Sequence, residues 1–92
     1  MAKIIIPTPL RKFTSNEAAI ETNGGTVGEA ILDLTVKFPD LKQNILDDEG
    51  NLRNFVRIYL GDEDIKALDD THTSVETDSV ISIIPAIAGG SN

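Results

Sequence analysis

Thr26-Val27-Gly28-Glu29-Ala30-Ile31-Leu32-Asp33-Leu34-Thr35-Val36-Lys37-Phe38 has the clearest structural pattern of the chain, that of an amphipathic helix. Thr26 and Glu29 have the spacing of a capping box, in which the threonine hydroxyl accepts from the Glu29 amide and the glutamate side chain reaches back to the Thr26 amide. Pro39 predicts that the helix ends near Phe38. One apolar stripe at helical spacing should face the core: Val27, Ala30, Ile31, Leu34 and Phe38.

Strand patterns lie on both sides of this helix. The β-branched run that starts at Lys3 is limited by Pro7 and Pro9 to a sheet edge or a strand end. Further strands are predicted at 18–21, 54–60 and 80–84, with a short helix at 41–46 and an irregular segment at 65–78. This order predicts an α+β roll: a mixed sheet of four to five strands wrapped on one main helix, with the first and last strands as parallel neighbours.

Composition excludes several classes of protein. The chain has 92 residues, enough for one domain, and no apolar run approaches the length of a membrane span or a signal peptide. Its net charge of −7 would repel nucleic acid and favours either a partner with a basic docking face or simple solubility. Because cysteine is absent, the chain has no disulfide and no thiolate nucleophile. We expect a cytoplasmic protein that contacts neither membrane nor nucleic acid.

Catalytic and metal motifs are weak in this sequence. The segment 24–28 lacks the Gly-Lys-Ser/Thr ending of a phosphate loop, and a turn followed by a helix cap explains it. The acidic clusters 47–49 and 62–64 lack the alternating ligands of a calcium loop and are typical of solvated turns. His72 is the only histidine, with no second nitrogen or sulfur ligand nearby. We therefore expect no metal, no bound cofactor and no catalysis by this chain alone.

One strand has the pattern of a binding surface. Arg53, Phe55, Arg57 and Tyr59 alternate with Val56, Ile58 and Leu60, so the two sets should occupy opposite faces of the strand. Tyrosine and arginine are common at binding hot spots. With Ile84 on the same side, this face is interpreted as a partner surface; the alternative is an outer sheet face that neighbouring residues partly cover.

The final segment, Pro85-Ala86-Ile87-Ala88-Gly89-Gly90-Ser91-Asn92, is an apolar arm followed by two glycines. Paired glycines give a backbone that can enter a narrow channel and bend there. We therefore divide the chain into a domain at 1–84 and a tail at 85–92. Two residues, Ser91 and Asn92, follow the diglycine and are either an encoded extension or a remnant of cloning.

Several segments together resemble the MoaD/ThiS family of ubiquitin-like sulfur carriers. The tail matches most specifically: strand residues 81–84, a proline, a short apolar arm and a diglycine. Residues 26–31 resemble the opening of the family's main helix, and residues 55–60 with the turn at 62–65 resemble its middle strand. The match extends from about Ile4 to Gly90. Thr77-Asp78-Ser79 departs from the Gly-Asp turn often found there, which affects only a loop.

This resemblance implies a β-grasp fold and a carrier function. A ubiquitin-activating-type enzyme would use ATP to adenylate the Gly90 carboxylate beside Gly89, and a sulfur donor would convert it to a thiocarboxylate. Pro85 and Ile87 would anchor the arm with Ile84, while the Phe55, Arg57 and Tyr59 face would dock the body. A processing metalloprotease would first cleave the bond between Gly90 and Ser91.

The sequence identifies the acceptor of the sulfur less clearly than it identifies the carrier function. The middle section looks most like the cysteine-synthesis carriers, which implies a cysteine synthase-like partner. The small subunit of molybdopterin synthase, held by its large subunit, and a thiamine-thiazole carrier are the alternatives of the same class. A ubiquitin-like modifier that forms isopeptide bonds through Gly90 shares the adenylation step and is the alternative of another class.

Overall fold

A computed structural model describes residues 2–85 of the chain. The strands are β1 (Ala2–Ile5), β2 (Ala19–Thr22), β3 (Val56–Leu60), β4 (Glu63–Asp64) and β5 (Val80–Pro85), and the α-helices are α1 (Val27–Lys37) and α2 (Pro39–Ile45). Short 3-10 turns occur at Thr8–Phe13, Ile65–Ala67 and Asp70–His72. No helix within residues 2–85 is long and apolar enough to cross a membrane.

The strands form one mixed sheet in the order β2-β1-β5-β3-β4. β1 and β5 pair in parallel, whereas β2, β3 and β4 pair antiparallel with their neighbours. The predicted mixed sheet on one main helix is confirmed, and so is the placement of the first and last strands side by side. β5, with which the described part of the chain ends, is therefore the central strand.

The core lies between this sheet and α1. Val27, Ala30 and Leu34 are completely buried, as the helical stripe predicted, whereas Phe38 at the helix end is only partly buried. Because burial of an aliphatic side chain contributes about 1.5–3 kcal/mol, this interface is the main source of stability. The sheet supplies its facing layer from alternating positions: Ile4, Ile20, Val56, Ile58, Ile81 and Ile83.

The N-terminus of α1 differs from the predicted capping box by one residue. Thr26 Oγ1 accepts from the Glu29 amide at 3.2 Å, as expected. The Glu29 carboxylate, however, accepts from the amide of Gly25 at 2.7 Å and not from that of Thr26. The reason is Gly24, whose φ of 146° folds the preceding chain directly onto the first helical turn.

The predicted break after β3 is a hairpin. Gly61, with a φ of 62°, reverses the chain so that Glu63 and Asp64 pair with Leu60 and Tyr59. The sequence missed β4 because three acidic residues in a row are typical of a turn. In the segment predicted to be irregular, Ile65 is buried and fixes the chain against the core.

The outermost strand β2 is capped by two charged side chains of α1. Lys37 Nζ donates to the Glu21 carbonyl at 2.8 Å, and Asp33 Oδ2 accepts from the Asn23 amide at 2.9 Å. The two side chains also pair with each other at 3.2 Å, the i,i+4 pair expected from the sequence. Because unpaired backbone groups at a sheet edge recruit other strands, these contacts protect the edge from association.

Replacing Asp33 with asparagine should destabilise the fold in a pH-dependent way. The hydrogen bond from the Asn23 amide, together with Lys37, lowers the pKa of the Asp33 carboxyl. A lowered folded-state pKa stabilises above the unfolded value and is lost as pH falls through the folded value. We expect Asp33→Asn to cost about 0.5–1 kcal/mol at pH 7, and the difference to shrink as pH falls below about 4, the unfolded value.

Urea unfolding of both proteins at pH 7 and pH 3 measures this difference. The matched control is Asp48→Asn, which removes the same charge from an exposed turn. It should leave the free energy of unfolding unchanged at both pH values. An equal cost of Asp33→Asn at both pH values would show that ionisation of Asp33 does not stabilise the fold.

Candidate functional site

The candidate site is the outer face of the sheet at β3 and β5, together with the tail that follows β5. Val56 and Ile58 point into the core, so the alternate residues Arg57 and Tyr59 point outward. Phe55 lies directly before β3 and is 44% exposed. The sequence prediction of two opposite faces is confirmed for the residues within β3. We call the outward set formed by Phe55, Arg57, Tyr59 and Ile84 the sheet-face surface.

Strand register brings these side chains together. Arg57 lies opposite Ile84, and Tyr59 lies opposite Ser82, in the antiparallel pairing of β3 with β5. Directly opposite residues share a face and have Cβ atoms about 5 Å apart. Aliphatic Ile84, which is 45% exposed, and aromatic Tyr59 therefore lie next to the cation of Arg57, near the end of β5.

The electrostatics of the sheet-face surface come from one exposed ion pair. An Arg57 guanidinium nitrogen lies 3.3 Å from Asp64 Oδ2 on the neighbouring strand β4. Exposed pairs of this kind contribute little to stability, because each charge is also well solvated. Arg57 can therefore exchange Asp64 for a carboxylate of a partner at low cost.

Arg53 does not belong to this surface, contrary to the sequence prediction. Its Nε donates to the carbonyl of Gln43 at 2.8 Å, which turns the side chain toward α2. The alternation begins only at Val56, where β3 starts, and the preceding loop follows its own geometry. Conversely, Val80 is 41% exposed on the outward face of β5. The Val80-Ser82-Ile84 alternation could have identified it.

The predicted reactive residues follow β5. The strand includes Pro85, whose backbone pairs with Val56, so the sheet extends one residue into the range predicted as tail. Ile87, Gly89, Gly90 and Ser91 lie outside the described residues. Their predicted functions therefore rest on sequence and on the position of β5 in the sheet.

The weaker motifs form local turns. Asp47 Oδ1 accepts from the amides of Glu49 and Asn51, and Asp64 Oδ1 accepts from the amide of Lys66. In the part of the chain that the structure describes, no group of three His, Asp or Glu side chains could hold a metal ion. His72 is exposed on a 3-10 turn. One carboxylate of each acidic cluster, that of Asp47 or Asp64, thus accepts hydrogen bonds from the backbone of the adjoining turn.

Comparison with known proteins assigns the family. The ThiS family model matches residues 4–90. The sulfur carrier protein CysO of Mycobacterium tuberculosis is 33% identical over 89 residues, which cover 95% of this chain and 96% of that protein. The CysO of Mycobacterium bovis matches to the same extent.

Solved structures share the fold. A chain in the crystal structure of the Amycolatopsis orientalis BexX/CysO complex has a TM-score of 0.88 and 32% identity, covering 98% of this chain and 100% of that one. The solution structure of small archaeal modifier protein 1 from Methanosarcina acetivorans has a TM-score of 0.87 and 26% identity, covering 97% and 95%. These likenesses confirm the predicted β-grasp fold. Because the family model spans nearly the whole chain and close to a third of the residues are identical to those of named carriers, this chain belongs to the ThiS family.

Proposed function

We propose that this chain is a sulfur carrier protein that supplies sulfur for cysteine biosynthesis. The observation that supports this function most directly is the 33% identity with sulfur carriers along 95% of the chain. The chain acts as a co-substrate of partner enzymes, and its reactive group is the carboxylate of Gly90. It binds no cofactor of its own, since ATP is used by the activating partner.

The proposed reaction has two steps at the Gly90 carboxylate. In the first, a carboxylate oxygen attacks the α-phosphorus of ATP, forming an acyl adenylate and releasing pyrophosphate. In the second, a sulfur donor attacks the carbonyl carbon and AMP leaves, which yields a thiocarboxylate, –C(=O)S⁻. Glycine suits this position because it has no side chain to hinder attack at its carbonyl.

The architecture supports delivery of Gly90 to a buried site. β5 is hydrogen-bonded to a strand on each side, so the tail follows the central strand of the sheet. When extended, residues 85–90 span about 20 Å, enough to reach into an enzyme while the domain stays outside. Pro85 and Ile87 anchor this arm in the partner.

The sheet-face surface is the proposed docking surface for the adenylating enzyme. It lies at the end of the sheet from which the tail leaves, since Arg57 pairs with Ile84 one residue before Pro85. Exposed Phe55 and Ile84 supply apolar contact, and Arg57 supplies a cation. A partner that binds this surface therefore receives the tail in a defined direction.

Formation of the thiocarboxylate tests the function. The chain ending at Gly90 is incubated with a ubiquitin-activating-type enzyme, ATP and a sulfide donor, and its intact mass is measured. Adenylation followed by displacement replaces one oxygen of the Gly90 carboxylate by sulfur. The mass should therefore rise by about 16 Da, the difference between the two atoms. The same reaction without ATP is the control. A mass that stays constant with active enzyme would contradict the proposal.

Docking is tested by Ile84→Asp. A carboxylate at position 84 removes an apolar contact and, because it lies opposite Arg57, can occupy the cation offered to the partner. We therefore expect kcat/KM for charging to fall at least about tenfold. The matched control is Leu68→Asp, since Leu68 is 37% exposed against 45% for Ile84 and lies outside the sheet-face surface; this variant should charge normally. Both variants should remain folded in circular dichroism. Equal charging rates for the two variants would exclude Ile84 from the docking surface.

A modifier function is the second candidate, because the small archaeal modifier protein 1 shares the fold at 26% identity. Its identity is lower than the 33% shared with the sulfur carriers, so the carrier function is preferred. Immunoblots of cell lysates, together with the intact mass of the purified chain, distinguish the two. Free thiocarboxylate supports the carrier, and ladders of isopeptide conjugates to lysine support the modifier.

A further inference from the structure

A cleft of about 1000 Å³ lies on the helix side of the sheet, away from the sheet-face surface. One wall is the flank of α1 that carries Leu32 and Val36, and the other is the loop that contains Leu52 and Arg53. Lys42 and Lys66 also line it. We call these six residues and the space between them the α1 cleft. Nothing in the carrier function proposed above uses it.

The α1 cleft exposes apolar surface that folding leaves uncovered. Leu32 is 58% exposed and Val36 is 72% exposed, among the most exposed large apolar side chains of residues 2–85. They are four residues apart and so form one ridge along the helix. Leu52 opposite them is half-buried against the core. An apolar ridge facing an apolar wall is the geometry in which an amphipathic helix binds.

The charge of the α1 cleft is opposite to that of the protein. The whole chain has a net charge of −7, with only eight lysines and arginines. Three of those eight, Lys42, Arg53 and Lys66, line the cleft, against two acids, Glu29 and Asp70. The ion pairs found within residues 2–85 join Lys37 to Asp33 and Arg57 to Asp64, so they leave these three cations available.

The Arg53 guanidinium is pre-positioned to bind a carboxylate of a partner. Its Nε donates to the Gln43 carbonyl at 2.8 Å, which fixes the guanidinium, and among residues 2–85 its other nitrogens have no hydrogen-bond acceptor. Its backbone amide also donates to the Ile45 carbonyl at 3.0 Å. A pre-positioned guanidinium loses less entropy on binding a carboxylate than a free one does.

We propose that the α1 cleft binds an acidic amphipathic helix of a partner protein. Its apolar side chains pack between Leu32, Val36 and Leu52, and its carboxylates pair with Lys42, Arg53 and Lys66. Charge complementarity selects this occupant over a second copy of the chain, because two molecules that each carry −7 repel one another. It also leaves the sheet-face surface free for an activating enzyme at the same time.

Two designed peptides test the proposal. Both are helices of about 15 residues with the same leucine stripe, but the remaining positions are glutamate in one and lysine in the other. Each is titrated into the full chain labelled with ¹⁵N. The glutamate peptide should shift the amides of Leu32, Val36 and Arg53, whereas the lysine peptide should not. Absence of these shifts at about 1 mM glutamate peptide overturns the proposal, and so do equal shifts with both peptides.

Variants distinguish the cleft from other surfaces. Val36→Asp and the double change Lys42→Glu with Lys66→Glu should each weaken binding of the glutamate peptide about tenfold or more, and retained ¹⁵N spectra show that both remain folded. Phe55→Ala on the sheet-face surface is the matched control and should bind normally. If Phe55→Ala weakens binding as much, the cleft is not the site. If the same amides shift without peptide when the chain dimerises, the occupant is a second copy. If they shift without peptide when residues 86–92 are removed, the occupant is the tail. Either result overturns the proposal.

Discussion

The chain ending at Asn92 should acquire no sulfur under conditions that fully convert the chain ending at Gly90. While Ser91 is attached, the Gly90 carbonyl belongs to a resonance-stabilised peptide bond and offers no carboxylate oxygen to ATP. The only main-chain carboxylate is then that of Asn92, about 7 Å further along an extended arm. Intact mass of both chains in one reaction measures the difference, which should be all or none.

Removal of the two residues should restore charging. Treatment with a metalloprotease that releases Ser91-Asn92 yields the Gly90 carboxylate, and EDTA added before the protease should prevent this because the protease loses its metal. The trimmed chain, desalted and supplied with magnesium and ATP, should then charge like the chain made to end at Gly90. Sulfur found on Asn92 of the untrimmed chain would refute the need for cleavage.

Gly24→Ala should be among the most destabilising single changes in the domain. Gly24 has a φ of 146°, a conformation that residues with side chains rarely adopt and that would cost alanine about 1–3 kcal/mol. An added Cβ would also lie 2.9 Å from the backbone nitrogen of Ala30, which cannot move without disturbing α1. Overpacking of this kind costs about 1–3 kcal/mol more. We expect a total of roughly 2–6 kcal/mol in urea unfolding.

Gly50→Ala is the matched control for this effect. Gly50 also has a positive φ, 84°, but an added Cβ would meet nothing within 4 Å. Its cost should be only that of the backbone conformation, about 1 kcal/mol. Similar losses in the two variants would mean that the contact of Gly24 with α1 contributes nothing beyond conformational strain.

Much of the fold could be predicted from local pattern. The stripe that starts at Val27, the alternation of β3 and the apolar residues of β5 each identify an element and its buried face, because periodicity depends only on residues near in sequence. The partner of Glu29 was predicted one residue away from its true position, since it depends on how Gly24 folds the chain. β4 was missed because its pairing with β3 outweighs the preference of an acidic run for a turn.

The candidate site divides in the same way. The proposed reactive position comes from the sequence, since the diglycine after an apolar strand predicts Gly90 without reference to the fold. The sheet-face surface needed both a pattern and a register: alternation predicted that Arg57 points outward, but only the pairing of β3 with β5 places it opposite Ile84. Arg53 shows where alternation fails as a predictor. The pattern placed its side chain on the sheet-face surface, but its hydrogen bond to Gln43 turns it toward α2.

Primary structure alone thus established the helix, the strand faces, the family resemblance and the chemistry expected of the Gly-Gly tail. Tertiary structure decided which strand is central, that Asp33 and Lys37 cap the edge of β2, and that Lys42, Arg53 and Lys66 surround one cleft. The physical reason is the range of the interactions. Periodicity and glycine freedom act within a few residues, whereas register and clustered charge arise between residues that only folding brings together.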